Sequence, residues 1–212
     1  MRMQFGRITL AVVGLGIIAT PAMAQLAGQP VYAIQKGTGV SLNADLGVNL
    51  DPGDFNTLAG RATLGLPMVS FTVGFEPEVL DGFENQIMLG GAVTVLPLPT
   101  TSIRLQANVG YGLDSETWAV PIGVVLDVRP PTPALSVNPW VFPQFRITRV
   151  SAFGITDTQT GLGISAGLSL GLPGGLGGHV ALDYDVESEV ILGGIGVHYK
   201  ISVPGLGMVP GM

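Results

Sequence analysis

From Thr38 onward the chain repeats with a period of two. Val40, Leu42, Ala44, Leu46 and Val48 alternate with Ser41, Asn43, Asp45, Gly47 and Asn49. Successive side chains of an extended strand point to opposite faces, so this run predicts a strand with one apolar and one polar face. The pattern returns along the chain. Val69, Phe71, Val73 and Phe75 oppose Ser70 and Thr72; Ile103, Leu105, Ala107, Val109 and Tyr111 oppose Ser102, Arg104, Gln106 and Asn108. Trp118, Val120, Ile122, Val124, Leu126 and Val128 oppose Ala119 and Asp127. We count ten such strands, with eight as the alternative if one hairpin is miscounted. Helical spacing over a comparable length appears nowhere after residue 24.

The breaks between strands alternate in kind. Pro67, Pro97-Leu98-Pro99 and Pro173-Gly174-Gly175 are tight turns, and Arg129 to Ser136 is a longer Pro-rich one. The other breaks are polar: Leu50 to Asn56, Glu76 to Asn85, Leu113 to Thr117, Val150 to Thr160 and Val186 to Glu189. Short turns at one end and longer polar loops at the other are the asymmetry of a transmembrane barrel. Strands of about ten residues, at ~3.3 Å each and tilted ~40°, rise roughly 25 Å, the height of a bilayer's apolar band. Sheet edges in lipid would leave backbone groups unpaired, so such a sheet has to close.

The N-terminus differs from the rest. Arg2 and Arg7 precede an apolar run, Ile8 to Ile18, and Ala22-Met23-Ala24 sets small residues before Gln25. This predicts a cleaved secretory signal peptide over 1–24, a periplasmic segment over 25–37, the barrel over 38–201 and a tail over 202–212. Composition adds three exclusions. Only 11% of residues are charged while 47% are apolar, against about 25% charged in an average soluble domain. Cysteine is absent, which removes thiolate chemistry and Cys-based metal sites. Net charge is −6 without a basic cluster, which argues against a nucleic-acid partner.

Alternation does not by itself say which face is outside, because a soluble lipocalin-like barrel has the same period. Three features favour the apolar face outward. The polar face is mostly Ser, Thr, Asn and Gly, a poor wall against water. Phe75, Tyr111, Trp118 and Tyr184 fall at the loop ends of their strands, where an aromatic girdle belongs. Isolated Asp and Arg on the polar face are costly in a dry core and tolerated in a polar lumen.

The residues from Thr38 to Ile201 resemble the small outer-membrane β-barrel superfamily, which holds the outer membrane protein A barrel domain and opacity-type proteins. The resemblance is architectural and rests on no short motif. It implies an up-and-down antiparallel transmembrane barrel, with outer-membrane lipid and lipopolysaccharide as surroundings and the barrel-assembly machinery as a partner in biogenesis. Such barrels usually end on an aromatic; here the last strand holds Tyr199 and Ile201, and the tail continues with Pro204 and Pro210.

Candidate chemistry lies on the polar face. Asp45, Arg61, Arg104, Asp127, Arg146, Asp183 and Lys200 lie on seven different strands and would form either a lumen charge network or a selective constriction. His179 and His198 lie near turn ends, away from the outer rim where a lipid-processing hydrolase would gather its serine, histidine and acid. Two histidines alone are a weak metal signal. Trp140 and Phe142 fall in the polar register between Pro139 and Pro143, which predicts either an aromatic plug or a bulge that flips the register. From Gly161 to Gly171 every other residue is Gly or Ser, either to widen the lumen or to admit another segment such as Gln25 to Lys36. Glu76, Glu78, Asp81 and Glu84 read as a solvated acidic loop near anionic lipopolysaccharide bridged by divalent ions, or as one that touches cations or a partner. No catalytic set, cofactor site or metal site emerges. The expected role is non-enzymatic, structural or interaction-making, with a largely filled lumen. The alternatives are a narrow passive pore and a soluble periplasmic barrel with an apolar ligand.

Overall fold

A computed structural model describes residues 38–50, 56–79, 84–130, 135–152 and 155–203. The expected signal peptide, the 25–37 segment, Asp81 and the tail beyond Val203 lie outside these residues. The described chain is all β: β1 Gly39–Asn49, β2 Asn56–Gly65, β3 Val69–Glu76, β4 Gln86–Pro97, β5 Thr101–Gly112, β6 Trp118–Val128, β7 Ser136–Ala152, β8 Ile155–Gly171, β9 Leu176–Asp185 and β10 Ile191–Ile201. Each strand pairs antiparallel with its sequence neighbours, and β1 pairs with β10 to close the barrel. Among the described residues the count is ten, not eight.

The two faces separate as the period of two requires. Leu42, Leu64, Phe71, Leu89, Leu105, Ile122, Phe145, Ile164, Leu182 and Val197, taken from the ten strands in turn, are all exposed on the outer wall. Apolar surface left in water forfeits about 1.5–3 kcal/mol per large side chain, so a continuous wall of this kind calls for an apolar surround. The polar residues point inward and are buried. This arrangement is the reverse of a soluble carrier, whose apolar face lines the cavity.

Turn chemistry sets the short end. Leu66 N–H donates to the Val69 carbonyl at 2.8 Å, and Leu98 N–H to that of Thr101 at 2.9 Å. Gly174 and Gly175 close the β8–β9 turn at φ +89° and +93°, a conformation that side chains with a Cβ rarely adopt. In β4 the register shifts between Thr94 and Leu96, and this bulge leaves Val95 and Leu96 both facing outward.

Two sequence expectations change. First, the β7–β8 ladder runs unbroken from Ser136↔Gly171 to Ala152↔Ile155, so no bulge flips the register at Trp140 and Phe142. Both rings point into the barrel. The prolines act on the other side of β7: the β6–β7 ladder is interrupted between Gly123↔Gln144 and Leu126↔Val141, where Pro143 has no N–H to donate. Pro121 has the same effect between Ala107↔Ile122 and Gly110↔Ala119. Second, most of Val150 to Thr160 is not a loop. β7 and β8 are 17 residues each and pair Val150 with Asp157 and Ser151 with Thr156. The hairpin overtops its neighbours, since β6 starts opposite Arg149 and β9 ends opposite Gly163. Alternating Thr156, Thr158 and Thr160 favour extended backbone, but Asp157 and Gln159 between them are polar too, so the apolar–polar alternation is lost there.

Candidate functional site: the packed lumen

Side chains of the inner wall meet in clusters that span several strands. Arg61 Nε lies 2.5 Å from Asp45 Oδ2, bridging β2 and β1. Arg104 Nε is 3.0 Å from Asp127 Oδ2, which also accepts from the Ser102 hydroxyl at 2.5 Å. Arg146 Nη2 is 2.6 Å from both oxygens of Asp183, and its Nη1 is 2.9 Å from Asp185 Oδ2. Asp183 Oδ1 accepts two more bonds, from Ser165 Oγ at 2.6 Å and Gln144 Nε2 at 3.2 Å. Of the seven charged residues singled out from sequence, six therefore fall into three ion pairs. The seventh, Lys200, is half-buried on β10 opposite Ser41, and its backbone N–H donates to Gly175 at 2.8 Å.

The two histidines, on separate strands in the sequence, are joined in the structure. His179 Nε2 lies 2.5 Å from Asp45 Oδ1, and its Nδ1 lies 3.3 Å from Nδ1 of His198. The rings are nearly parallel, with centres 5.6 Å apart. The difference between the two distances is about two ring radii, so the rings lie edge to edge rather than face to face. Arg61, Asp45, His179 and His198 thus form one buried chain across β2, β1, β9 and β10. It is not a hydrolase set, because the histidine nitrogen that would face a nucleophile faces a second imidazole.

Glycine makes these contacts possible. Asp45 and His179 sit on strands separated by β10, and they meet over Gly196; a Cβ there would collide with both. Arg146 reaches across β8 to Asp183 over Gly163, whose Cβ would lie 2.5 Å from the guanidinium carbon. Trp140 lies over Gly167, and Phe142 over Gly123. Gly163 and Gly167 on β8 therefore lie under large side chains of β7, while the segment Gln25 to Lys36 lies outside the described residues. The two glycines hold the bulk of β7. The signal was present in sequence as Gly or Ser facing inward beside a strand rich in large inward residues.

Towards the turn end, Trp140, Phe142, Val125 and Ala181 pack as an apolar layer, with Phe142 at 0% exposure. At the other end, Phe75 pairs with Ile87, Ile87 with Tyr111 and Tyr111 with Trp118, a row along the outer wall. Tyr184 lies beside Ile164 and Ile191 on the opposite side of the barrel. Glu76 differs from its reading as a loop acid. It ends β3 in the inward register of Ser70, Thr72 and Gly74 and is buried. Its parity in the sequence would have placed it there.

No family model matches the chain, and no curated protein does. Among solved structures, it is similar to Neisserial surface protein A at 12% identity and TM-score 0.44, over 76% of this chain and 96% of that one. It is similar to the KdgM porin at 10% identity and TM-score 0.42, over 76% and 99%. A de novo designed transmembrane β-barrel aligns at 15% identity and TM-score 0.40, over 80% and 100%. Similarity this slight carries no inference about function. What is shared with small outer-membrane barrels is architecture: a closed antiparallel wall with an apolar outside.

Proposed function

We propose that this chain is a non-enzymatic outer-membrane barrel whose lumen is filled by its own side chains, and that it serves a structural or interaction role through its outer rim. One observation carries the reading: Arg61, Arg104, Gln106, Asn108, Arg146, Asp183 and the aromatic layer are all buried although they face the lumen. In a water-filled channel these side chains would be wetted. Barrels of about eight strands have interiors that side chains just fill, and pairing Trp, Phe and Arg with glycine extends the same solution to ten. The charges then form a network that fixes strand register rather than a selectivity filter. Lipid and lipopolysaccharide surround the wall, and export and barrel assembly deliver it there. Among the described residues, the β7–β8 hairpin is the one that overtops its neighbouring strands.

The test is conductance of the refolded protein in a planar bilayer, with insertion verified by the gel shift between folded and boiled samples. A silent membrane is expected. Discrete, reproducible steps would overturn the reading in favour of a narrow pore, and Arg104→Ala would then alter conductance or selectivity rather than stability alone.

A further inference from the structure

Four carboxylates are buried in the described strands: Asp45, Asp127, Asp183 and Glu76. The three aspartates each have an arginine nitrogen within 3.0 Å. Glu76 is 1% exposed, and neither of its carboxylate oxygens has a hydrogen-bond partner among the described residues. An ionised carboxylate taken out of water without a counter-charge is strongly disfavoured. The aspartates show how this wall otherwise neutralises such a group, which makes the omission at Glu76 specific.

The position is at the loop end of the lumen. Glu76 is paired in register with Gln86, and Gln86 with Gly112. The inward space at Gly112 is taken by the carboxylate of Glu84, which accepts from the backbone N–H groups of Asp114 and Ser115 at 2.6 and 2.5 Å. Above this row stand Glu78, Asp114 and Glu116, all exposed. Among the described residues, Arg149 is the one cation near this end outside the Asp183 cluster, and it faces outward. The row therefore offers a buried, unneutralised carboxylate, an amide beside it and a second carboxylate nearby, under an acidic rim that concentrates cations.

We propose that Glu76 anchors a cation-binding site at the outer mouth of the barrel. Its ligand class is a small hard cation of the calcium or magnesium kind, which takes oxygen donors. One buried carboxylate with neutral oxygens sets the affinity at about 10⁻⁴–10⁻³ M, the range of extracellular calcium modules. The site needs no conduction, since the ion enters from outside and stays at the mouth.

The test is thermal unfolding of the purified, refolded protein in zwitterionic micelles, which carry no anionic lipid to bind calcium themselves. Calcium chloride is titrated at constant ionic strength. The wild-type midpoint should rise by about 3–11 °C by 10 mM. Glu116→Gln, on the exposed rim, should respond as wild type does. Glu76→Gln should not respond and should start above wild type in chelator, since its unpaired charge is gone. Glu76→Asp keeps the charge on a shorter arm and should move the half-point to higher calcium. A flat wild-type response would mean that Glu76 is held protonated, and would overturn the proposal. So would a Glu76→Gln or Glu76→Asp response equal to wild type, which would place the calcium on the rim.

Discussion

Arg146 is the residue through which a filled lumen can be tested energetically. Its Nη2 lies 2.6 Å from both oxygens of Asp183, which is 1% exposed, and its Nη1 is 2.9 Å from Asp185. Arg146→Met keeps most of the side-chain volume and removes the charge. Asp183 then keeps only Ser165 and Gln144 as donors. Breaking a buried pair by removing one partner costs about 3–5 kcal/mol, because the remaining charge is left without compensation. At about 2–4 °C per kcal/mol for a chain of this size, the melting midpoint should fall by roughly 6–20 °C. Asp183→Asn should restore much of that loss when combined with Arg146→Met, since a neutral, well-packed replacement of both partners is often nearly as stable as the pair. The assay is urea or thermal unfolding of the two single variants and the double variant, read as a double-mutant cycle with a coupling of about 1.5–3 kcal/mol. A cost below about 1 kcal/mol for Arg146→Met, the value typical of a solvated ion pair, would mean that water reaches Asp183. That result would refute the filled lumen and with it the proposed role.

Three further outcomes follow from the same geometry. Leu105 sits mid-strand on the outer wall at 52% exposure, so Leu105→Arg should destabilise the protein in vesicles by about 2–4 kcal/mol; a change within about 0.5 kcal/mol would place that face in water. Trp140→Ala should cost about 3–5 kcal/mol and open the apolar layer, so that planar bilayers silent with wild type show conductance steps. Gly196→Ala should destabilise by about 1–3 kcal/mol, because the new Cβ meets the Ala44 carbonyl at 2.8 Å and displaces the Asp45–His179 contact; unfolding unchanged from wild type would contradict the packing described.

The strands and their inner and outer faces were legible in the sequence because one strand's pleat needs only its own residues. Val40 to Val48 states its alternation without help from any neighbour. Glu76 shares the parity of Ser70, Thr72 and Gly74, so its inward direction is written in the sequence as well. The β7–β8 ribbon was not legible, since Thr156 to Thr160 is polar at every position and carries no apolar–polar alternation. The lumen clusters were not legible either. Asp45 and His179 are 134 residues apart in sequence, and they meet only because the barrel closes β1 onto β10 and Gly196 leaves the gap between them open. The amino-acid sequence by itself determined which residues face inward, since that depends on a local period of two. Which inward residues touch was decided by closure and register, because those contacts cross strands whose relative height no single strand encodes.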